Sequence, residues 1–288
     1  MTVRMAVPNK GRLNERTIQL MTKAGIDLGS DWGRRLEVDI PSMDLQVFFL
    51  RAQDIPVFIA SGAVDFGVTG QDVEAEAGTG LDMVLPLEFG YCRLSIAAPE
   101  ASDVVKSGKM KDGIRIATSF PKLTAAFLSR KGIKGEVVFV QGAAEIMPQL
   151  GVSDAIADLV ATGSTLRMNH LQEIETIMES EACIFASKAA LGDSSKNGLI
   201  NSIVASFRSV IRAEGKKYLM ADVPVSKLSE VERIVPGIGG PTVIPIGDTG
   251  FAAVQAVVSS ADVFRTVAEL ERIGAKGILT MPIERLVE

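Results

Sequence analysis

One short segment combines the residue types that hold a phosphate group. Residues 155–159 form an apolar β-rich run, and Thr162-Gly163-Ser164-Thr165 follows at the predicted start of a short helix. Gly163 permits a tight turn, while free amides and hydroxyls at a helix start bind anions. Asp158 lies at the strand end, where its carboxylate can accept hydrogen bonds from sugar hydroxyls. The segment predicts a sugar-phosphate site; a capped helix start without a ligand is the alternative.

Polar and charged residues also occupy the loops that follow several predicted strands. They are Lys10, Arg12, Arg51, Asp72 and Arg93. Because ligands of α/β sheets bind in strand-end loops, the convergence of these residues predicts a ligand-binding site. Each has a structural alternative: solvated loop charges for Lys10 and Arg12, a helix-start pair for Arg51, a helix N-cap for Asp72 and an edge-strand charge for Arg93.

Short β-rich runs alternate with helical stretches through the first two-thirds of the chain, as in an α/β domain. The predicted strands are residues 3–7, 36–40, 45–50, 64–68, 93–98, 114–118, 137–140, 155–159, 174–178 and 182–187. The predicted helices include residues 13–24, 122–130 and 143–150, and a long helix whose apolar face holds Ile200, Ile203, Val204, Phe207 and Ile211.

The order of elements changes from Lys216 onward. A strand, helix, strand, strand, helix and strand are predicted at residues 218–223, 227–235, 242–246, 252–258, 263–273 and 277–282. A βαββαβ order over about 70 residues is the ferredoxin-like split motif. We therefore expect a separate C-terminal domain, with its boundary near residues 213–216.

The composition indicates a globular protein without an overall positive field. Its 288 residues, 47% of them hydrophobic, suffice for two or three domains, and the net charge of −5 argues against nucleic acid or an anionic membrane as a partner. Cys92 and Cys183 lack metal-ligand spacing, and the single histidine, His170, excludes a histidine-cluster metal site. With no secretory segment and no run of ~18 apolar residues, a cytoplasmic protein with reduced thiols is expected.

The segment Glu145–Leu166 resembles the signature of the ATP phosphoribosyltransferase family. That pattern is Glu, five residues, Gly, any residue, a small residue and Asp, then Leu-x-x-Thr-Gly-x-Thr-Leu. Shorter segments resemble other loops of the family: residues 8–13, 51–56, 68–72 and 91–94. The similarity extends to about residue 210, and the remainder resembles the extra domain of the family's long form.

The resemblance implies a fold with two α/β lobes, similar to type II periplasmic binding proteins, plus an ACT-like C-terminal domain. Catalytic subdomain I would cover residues 1–90, with a return of the chain at about 182–213. Subdomain II would cover residues 91–181 and carry the loop for phosphoribosyl pyrophosphate (PRPP). The ACT-like regulatory domain would cover residues 214–288.

The resemblance also implies ligand sites. PRPP would bind at Asp158, Ala161, Thr162, Gly163, Ser164 and Thr165, with Glu145 and Asp158 acting at the reacting ribose. ATP and pyrophosphate would bind at Lys10, Gly11, Arg12, Arg51, Gly70, Asp72 and Arg93. The inhibitor L-histidine would bind at Asp222, Ile238, Gly240 and Thr242.

The implied reaction joins ATP and PRPP to give N1-(5-phosphoribosyl)-ATP and pyrophosphate, the first step of histidine biosynthesis. Mg²⁺ is expected to arrive bound to PRPP, because the sequence has no multi-carboxylate metal motif. The family further implies a homo-oligomer, as a dimer or a hexamer.

Two other functions fit parts of the pattern. A solute-binding or sensing protein of the same two-lobed fold would have no chemistry, but the export signal or DNA-binding helix-turn-helix that it needs is missing. An ordinary nucleobase phosphoribosyltransferase usually carries two adjacent acids before its phosphate loop. Here Ala157 precedes Asp158.

Overall fold

The computed structural model describes residues 2–29 and 32–287, apart from the side chain of Arg34. The chain divides into two compact units, Met1–Val204 and Ala205–Glu288. Unit 1 contains two sheets and therefore two lobes, and unit 2 is built on a third sheet.

Lobe I of unit 1 is built on a six-stranded sheet. Its strands are β1 (Val3–Pro8), β2 (Glu37–Ile40), β3 (Leu45–Leu50), β4 (Phe66–Gly70), β5 (Asp82–Pro86) and β11 (Ala182–Ala186), in the order β2-β3-β1-β4-β11-β5. Its helices are α1 (Arg12–Lys23), α2 (Ile55–Ala60) and α3 (Gln71–Ala77). Strands β4 and β11 are buried along their whole length, which explains why few polar residues interrupt them.

Lobe II is built on a five-stranded sheet. Its strands are β6 (Cys92–Pro99), β7 (Arg115–Thr118), β8 (Glu136–Phe139), β9 (Ala155–Val160) and β10 (Leu171–Ser180), in the order β10-β6-β9-β7-β8. Its helices are α4 (Asp103–Ser107), α5 (Pro121–Lys131) and α6 (Ser164–Met168). Phe127 and Leu128 of α5 pack on Leu94 and Ile116 of the sheet and form the core of this lobe.

The two lobes share one strand order. Apart from the edge strand β2, lobe I has the order β3-β1-β4-β11-β5, and lobe II has β8-β7-β9-β6-β10. In each lobe one strand, β11 or β6, is the first that the chain forms after it crosses from the other lobe, and we call it the crossover strand. The other four strands, numbered along the chain, lie in the order second, first, third and fourth, with the crossover strand between the third and the fourth. The crossover strand is antiparallel to both of its neighbours in each lobe. Hydrogen bonds join the two crossover segments, from Leu87 N–H to Ala182 O and from Ala182 N–H to Phe89 O, both at 2.9 Å. The predicted architecture of two α/β lobes is confirmed.

A long helix follows the return of the chain to lobe I. After α7 (Lys188–Gly192), helix α8 covers Ser194–Ala213, and the predicted apolar residues Ile200, Ile203 and Phe207 are fully buried. The division between units falls inside α8, after Val204. Within the described residues, no helix is long and apolar enough to cross a membrane.

Unit 2 has the predicted ferredoxin-like order. Its elements are β12 (Lys216–Pro224), α9 (Leu228–Ile234), β13 (Thr242–Pro245), β14 (Phe251–Ser259), α10 (Val263–Arg272) and β15 (Lys276–Pro282). The sheet order β13-β14-β12-β15 is antiparallel throughout. Leu219 and Val254 of the sheet pack against Val231 of α9 and Leu270 of α10, which gives this unit its own core.

One predicted helix is wrong. Residues 143–150 form only a single 3-10 turn, Ala144–Ile146, followed by turns. Ala143 has a left-handed backbone with φ 54°, and Pro148 lacks the N–H that would continue a helix. The segment therefore folds as a loop rather than as a helix.

Candidate functional site

The loop after β9 turns into helix α6 through a left-handed glycine. Gly163 has φ 73° and lies just before α6, and a Cβ there would lie 3.3 Å from Nη1 of Arg167. Buried Leu166 anchors α6 to the lobe, whereas Thr162, Ser164 and Thr165 are exposed. The hydroxyl oxygens of Thr162 and Ser164 lie 3.1 Å apart. The loop thus exposes its hydroxyl groups to solvent, while buried Leu166 holds the adjoining helix in place.

The two predicted catalytic carboxyl groups lie within electrostatic range of each other. Asp158 is half-buried on β9, and its Oδ1 accepts the N–H of Leu159 at 2.7 Å. Burial raises the pKa of the Asp158 carboxyl; the Leu159 hydrogen bond opposes this rise, and the charge of Glu145 adds to it. Glu145 reaches this position from the 3-10 turn. The structure therefore brings together two acids that are 13 positions apart in the signature.

A cavity of about 250 Å³ is lined by residues of lobe I, several of them cationic, and by Leu159 of lobe II. The lining residues are Asn9, Lys10, Gly11, Arg12, Leu13, Arg51, Ala52, Gln53, Asp72, Val73 and Leu159. Five of the seven residues predicted for ATP and pyrophosphate are in this set. Strands β1 and β3 are parallel neighbours with Pro8 opposite Leu50, which places the loops carrying Lys10 and Arg51 side by side.

The basic side chains of this cavity are available to a ligand. Lys10, Arg12 and Arg51 are exposed, and none forms an ion pair with the described residues. Gly11 has φ 80° and precedes the first residue of α1, so the loop turns sharply into the helix. Arg12 donates from Nη2 to Sγ of Cys92 at 2.7 Å, which connects lobe I to the first strand of lobe II.

Asp72 does not cap its own helix. The N-cap of α3 is Gly70, so that alternative is wrong. The Asp72 side chain is 2% exposed and accepts the hydroxyl of Ser180, while its backbone N–H donates to the same oxygen at 3.0 Å. Gly70 lines neither this cavity nor its neighbour; a Cβ there would overlap the Asp72 carboxylate.

Arg93 lies beside a second cavity, of about 390 Å³. The lining residues are Gln71, Tyr91, Cys92, Arg93, Ala161, Glu179, Ser180 and Glu181. Arg93 is on β6, an interior strand, so the edge-strand alternative is wrong. Its guanidinium makes two hydrogen bonds of 2.5 Å with Glu173, which lower the pKa of that carboxyl. Arg93 is therefore already paired, in contrast to Lys10 and Arg51.

Ser180 and Gln71 line the second cavity but were not among the predicted site residues, although Gln71 lies in the segment 68–72 that resembles a family loop. Ser180 lines the second cavity and holds Asp72 of the first, 108 positions away in sequence. Gln71 begins α3, and its N–H donates to Glu181 O at 3.0 Å. No local pattern marks Ser180, because the crossover of the chain between the lobes creates its contact with Asp72.

The four residues predicted for histidine do not line one common cavity among those of unit 2 described below. Asp222 is half-buried on β12, whereas Gly240 and Thr242 are exposed at the start of β13. A cavity of about 380 Å³ in this unit includes Ile238 and the basic residues Lys216 and Arg233. Asp222, Gly240 and Thr242 lie outside it. Across residues 2–29 and 32–287, no cluster of three His, Cys, Asp or Glu side chains is arranged to hold a metal.

Comparison with known proteins assigns both units to one family. The family profile described as ATP phosphoribosyltransferase matches residues 51–209, and the profile described as HisG, C-terminal domain, matches residues 213–285. A protein of Methanococcus maripaludis (strain C5) named ATP phosphoribosyltransferase is 42% identical over 286 residues, covering 98% of this chain and 99% of its own. One of Gemmatimonas aurantiaca with the same name is 44% identical over 291 residues, covering 99% of each.

A solved structure agrees with these sequence relatives. The ATP phosphoribosyl transferase (HisG:HisZ) complex from Thermotoga maritima contains a chain that is 26% identical and superimposes with a TM-score of 0.65. The superposition covers 73% of this chain and 98% of that one. The signature at Glu145–Leu166, the two-lobed fold and these similarities lead to one conclusion. The chain belongs to the ATP phosphoribosyltransferase family.

Proposed function

We propose that this chain joins ATP and PRPP to give N1-(5-phosphoribosyl)-ATP and pyrophosphate, the first step of L-histidine biosynthesis. One observation supports this most strongly. Strand β9, which carries Asp158 and leads into the phosphate loop, contributes Leu159 to the basic cavity and the following Ala161 to the second cavity. PRPP bound at that loop, as the phosphoribosyl donor, and ATP bound in the basic cavity, as the acceptor, would therefore meet at the end of β9.

The 5-phosphate of PRPP is assigned to the loop of Ala161, Thr162, Gly163, Ser164 and Thr165. Its hydroxyls and backbone amides are neutral donors fixed before the ligand arrives. Each hydrogen bond to a charged phosphate contributes about 1.5–3 kcal/mol. The left-handed Gly163 keeps the approach to the amides free of a side chain.

The ribose is assigned to Asp158 and Glu145. Cleavage at C1 develops positive, oxocarbenium-like charge, and a half-buried carboxylate stabilises that charge more strongly than one in water. Asp158 also accepts hydrogen bonds from the ribose hydroxyls. Glu145 adds a second negative charge within range of the first.

The phosphates of ATP and of the leaving pyrophosphate are assigned to Lys10, Gly11, Arg12, Arg51 and Arg93. Because Lys10 and Arg51 have no ion-pair partner among the described residues, they can neutralise phosphate without first breaking a bond. To bind phosphate, the Arg93 guanidinium must break or share its ion pair with Glu173. Asp72 is the acidic residue in the cavity lining, and Gly70 leaves room for its carboxylate, so we assign both to the nucleotide site.

The reaction needs positioning more than proton transfer. The N1 lone pair of adenine is free at neutral pH, so it attacks C1 as the bond from C1 to the pyrophosphate oxygen breaks and the electron pair leaves with pyrophosphate. No general base is required for that step. Mg²⁺ enters as the complex of PRPP, where it neutralises pyrophosphate charge.

Unit 2 is proposed to be a regulatory domain for histidine. Asp222 would receive the amino or imidazole group, and the loop of Ile238, Gly240 and Thr242 would meet the carboxylate. Gly240 has φ 92°, and a Cβ there would have no atom within 4 Å, so the loop has open space at this position. Inhibition at a distance requires histidine to favour one global state, so substrates must weaken histidine binding in turn. We further propose a cytoplasmic homo-oligomer, a dimer or hexamer.

Mixing the purified protein with ATP, PRPP and Mg²⁺ tests the activity. The proposal predicts a new ultraviolet-absorbing adduct and one pyrophosphate per adduct, with a rate that millimolar histidine lowers. Asp158→Asn protein, prepared in parallel, controls for contaminating enzymes. Absence of the adduct with folded protein would reject the function, whereas a rate insensitive to histidine would reject only the regulatory part.

A further inference from the structure

The end of helix α3 in lobe I contacts the beginning of helix α5 in lobe II. Glu76 accepts the N–H of Lys122 through Oε1 at 2.9 Å and the N–H of Leu123 through Oε2 at 3.0 Å. In return, Nζ of Lys122 donates to the carbonyl oxygen of Ala77 at 2.9 Å. These three hydrogen bonds form an interlobe clasp. We propose that the clasp sets the relative position of the two lobes and that Glu76 is a positioning residue for phosphoribosyl transfer.

The first turn of α5 depends on the other lobe for its cap. Its N-cap, Phe120, has no side-chain acceptor, Pro121 has no N–H, and Thr124 N–H donates to Phe120 O at 3.0 Å. The amides of Lys122 and Leu123 are the two donors left over, and Glu76 accepts both. A carboxylate at a helix N-terminus also interacts favourably with the helix dipole. The contact therefore satisfies an obligatory need of α5.

Both sides of the clasp continue into the proposed site. On lobe I, the first turn of α3 carries Asp72, which lines the basic cavity. On lobe II, the Thr118 hydroxyl just before α5 accepts the N–H of Phe120 at 2.9 Å and donates to Ala157 O at 2.7 Å. Ala157 directly precedes Asp158. One continuous set of contacts thus connects the nucleotide cavity to the strand that carries the proposed catalytic acid.

A defined kinetic consequence follows, which rests on the proposed function. The assigned PRPP groups lie on lobe II and most of the ATP groups on lobe I, so each substrate site survives a loosened clasp. Transfer requires both substrates in one geometry, and small misplacements of reacting atoms reduce rates strongly. Loss of the clasp should therefore lower kcat about tenfold, while the Kd of each substrate measured alone changes less than about twofold.

Three variants separate the clasp from general destabilisation. Glu76→Gln keeps the side-chain length but removes the charge and one acceptor. Glu76→Asp keeps the charge at a shorter reach and should recover part of kcat. Glu37→Gln, on the exposed first residue of β2, is the matched control and should behave as the parent protein.

Two measurements are made on the full chain. Hydrogen exchange reports the amides of Lys122 and Leu123 without reference to activity, and both should exchange faster in Glu76→Gln. Steady-state kinetics gives kcat, and calorimetry gives the Kd of ATP and of PRPP alone. The proposal predicts faster exchange, a kcat about tenfold lower, near-parental Kd values and partial recovery in Glu76→Asp.

Each of the other outcomes would overturn a different part of the proposal. Parental kcat in Glu76→Gln with faster amide exchange would show a cap without a positioning role. Unchanged exchange at both amides would refute the clasp itself. Equal losses of kcat, of both affinities and of melting temperature would make Glu76 purely structural. A parent protein that binds ATP and PRPP but forms no adduct would refute the proposed function, and exchange would still test the clasp.

Discussion

The phosphate loop of lobe II and the basic cavity of lobe I are both assigned to phosphates but are built differently. The loop offers hydroxyls and amides, and the nearby Arg167 donates to Thr162 O at 3.3 Å. The cavity offers Lys10, Arg12 and Arg51 without ion-pair partners among the described residues. A 5-phosphate keeps its charge during transfer, whereas the leaving pyrophosphate gains charge. Fixed neutral donors suit the first and cations suit the second.

Asp158→Asn should have the largest effect, because Asp158 lies where the two regions meet. Removing the carboxylate from the developing positive charge should lower kcat by about 100-fold or more, in the range of a lost electrostatic stabiliser. Steady-state kinetics and thermal unfolding on the same sample check this. A melting temperature that falls in parallel with activity would make Asp158 structural.

The raised pKa of Asp158 adds a pH dependence. Burial favours the protonated carboxyl in the folded state, so the ionised form costs stability at neutral pH, and stability from this group is regained as pH falls through its folded pKa. Activity needs the ionised form, so kcat should begin to fall at a higher pH than an ordinary aspartate would cause. Asp158→Asn should abolish this acid limb without lowering stability at pH 7.

Arg51→Ala should rank second. Losing a charge-assisted contact of about 1.5–3 kcal/mol weakens ATP binding roughly tenfold to 100-fold. Because the cavity is exposed, the parent protein's ATP affinity should fall steeply with salt, and the variant's less so. Calorimetry at two salt concentrations measures both, with Arg35→Ala, an exposed arginine of the same lobe outside the cavity, as control. Equal salt slopes in parent and variant would remove Arg51 from the phosphate site.

Thr165→Ala should have a smaller and different effect. One neutral donor is lost, so PRPP binding should weaken about tenfold while ATP binding is unchanged. The fold should persist, because Leu166 anchors α6 and Thr165 is exposed. Titration with each substrate separately distinguishes the two regions. If Thr165→Ala weakened ATP as much as PRPP, the assignment of separate lobes to separate phosphates would fail.

Asp222→Ala should have the smallest effect on the reaction. It changes unit 2 alone, so kcat without histidine should stay within about twofold of the parent. Histidine binding should weaken about tenfold or more, since one charged hydrogen bond is lost. Direct titration with histidine measures this. Parental histidine affinity in the variant would move the site elsewhere.

The sequence predicted most strands of the three sheets but missed β5, and it predicted the loops unevenly. Strands such as β1 and β9 follow from their apolar runs, and the βαββαβ order of unit 2 follows from hydrophobic period alone. The predicted helix over residues 143–150 fails because Ala143 and Pro148 break it, although Ala and Leu favour helix there. Helix propensity, which depends on the local sequence, cannot predict a backbone conformation that the surrounding fold imposes.

The parts of the site formed by neighbouring residues or by adjacent parallel strands could be predicted. The contacts formed where the chain crosses between the lobes could not. The loop of Thr162–Thr165 is contiguous, and the parallel pairing of β1 with β3 brings Lys10 beside Arg51. The contact of Asp72 with Ser180 and the pair of Arg93 with Glu173 join distant segments, so no spacing rule indicates them. The assigned roles of these residues stay predictions, as does the domain boundary at residue 214.

The most direct test detects the proposed bond itself. Purified protein is given ATP labelled with ¹⁵N at adenine N1 and PRPP labelled with ¹³C at ribose C1, with Mg²⁺. The account predicts a nuclear magnetic resonance spectrum in which a one-bond coupling between that carbon and that nitrogen appears as pyrophosphate is released. Release of pyrophosphate without this coupling, or coupling of the labelled carbon to any other acceptor, would contradict it.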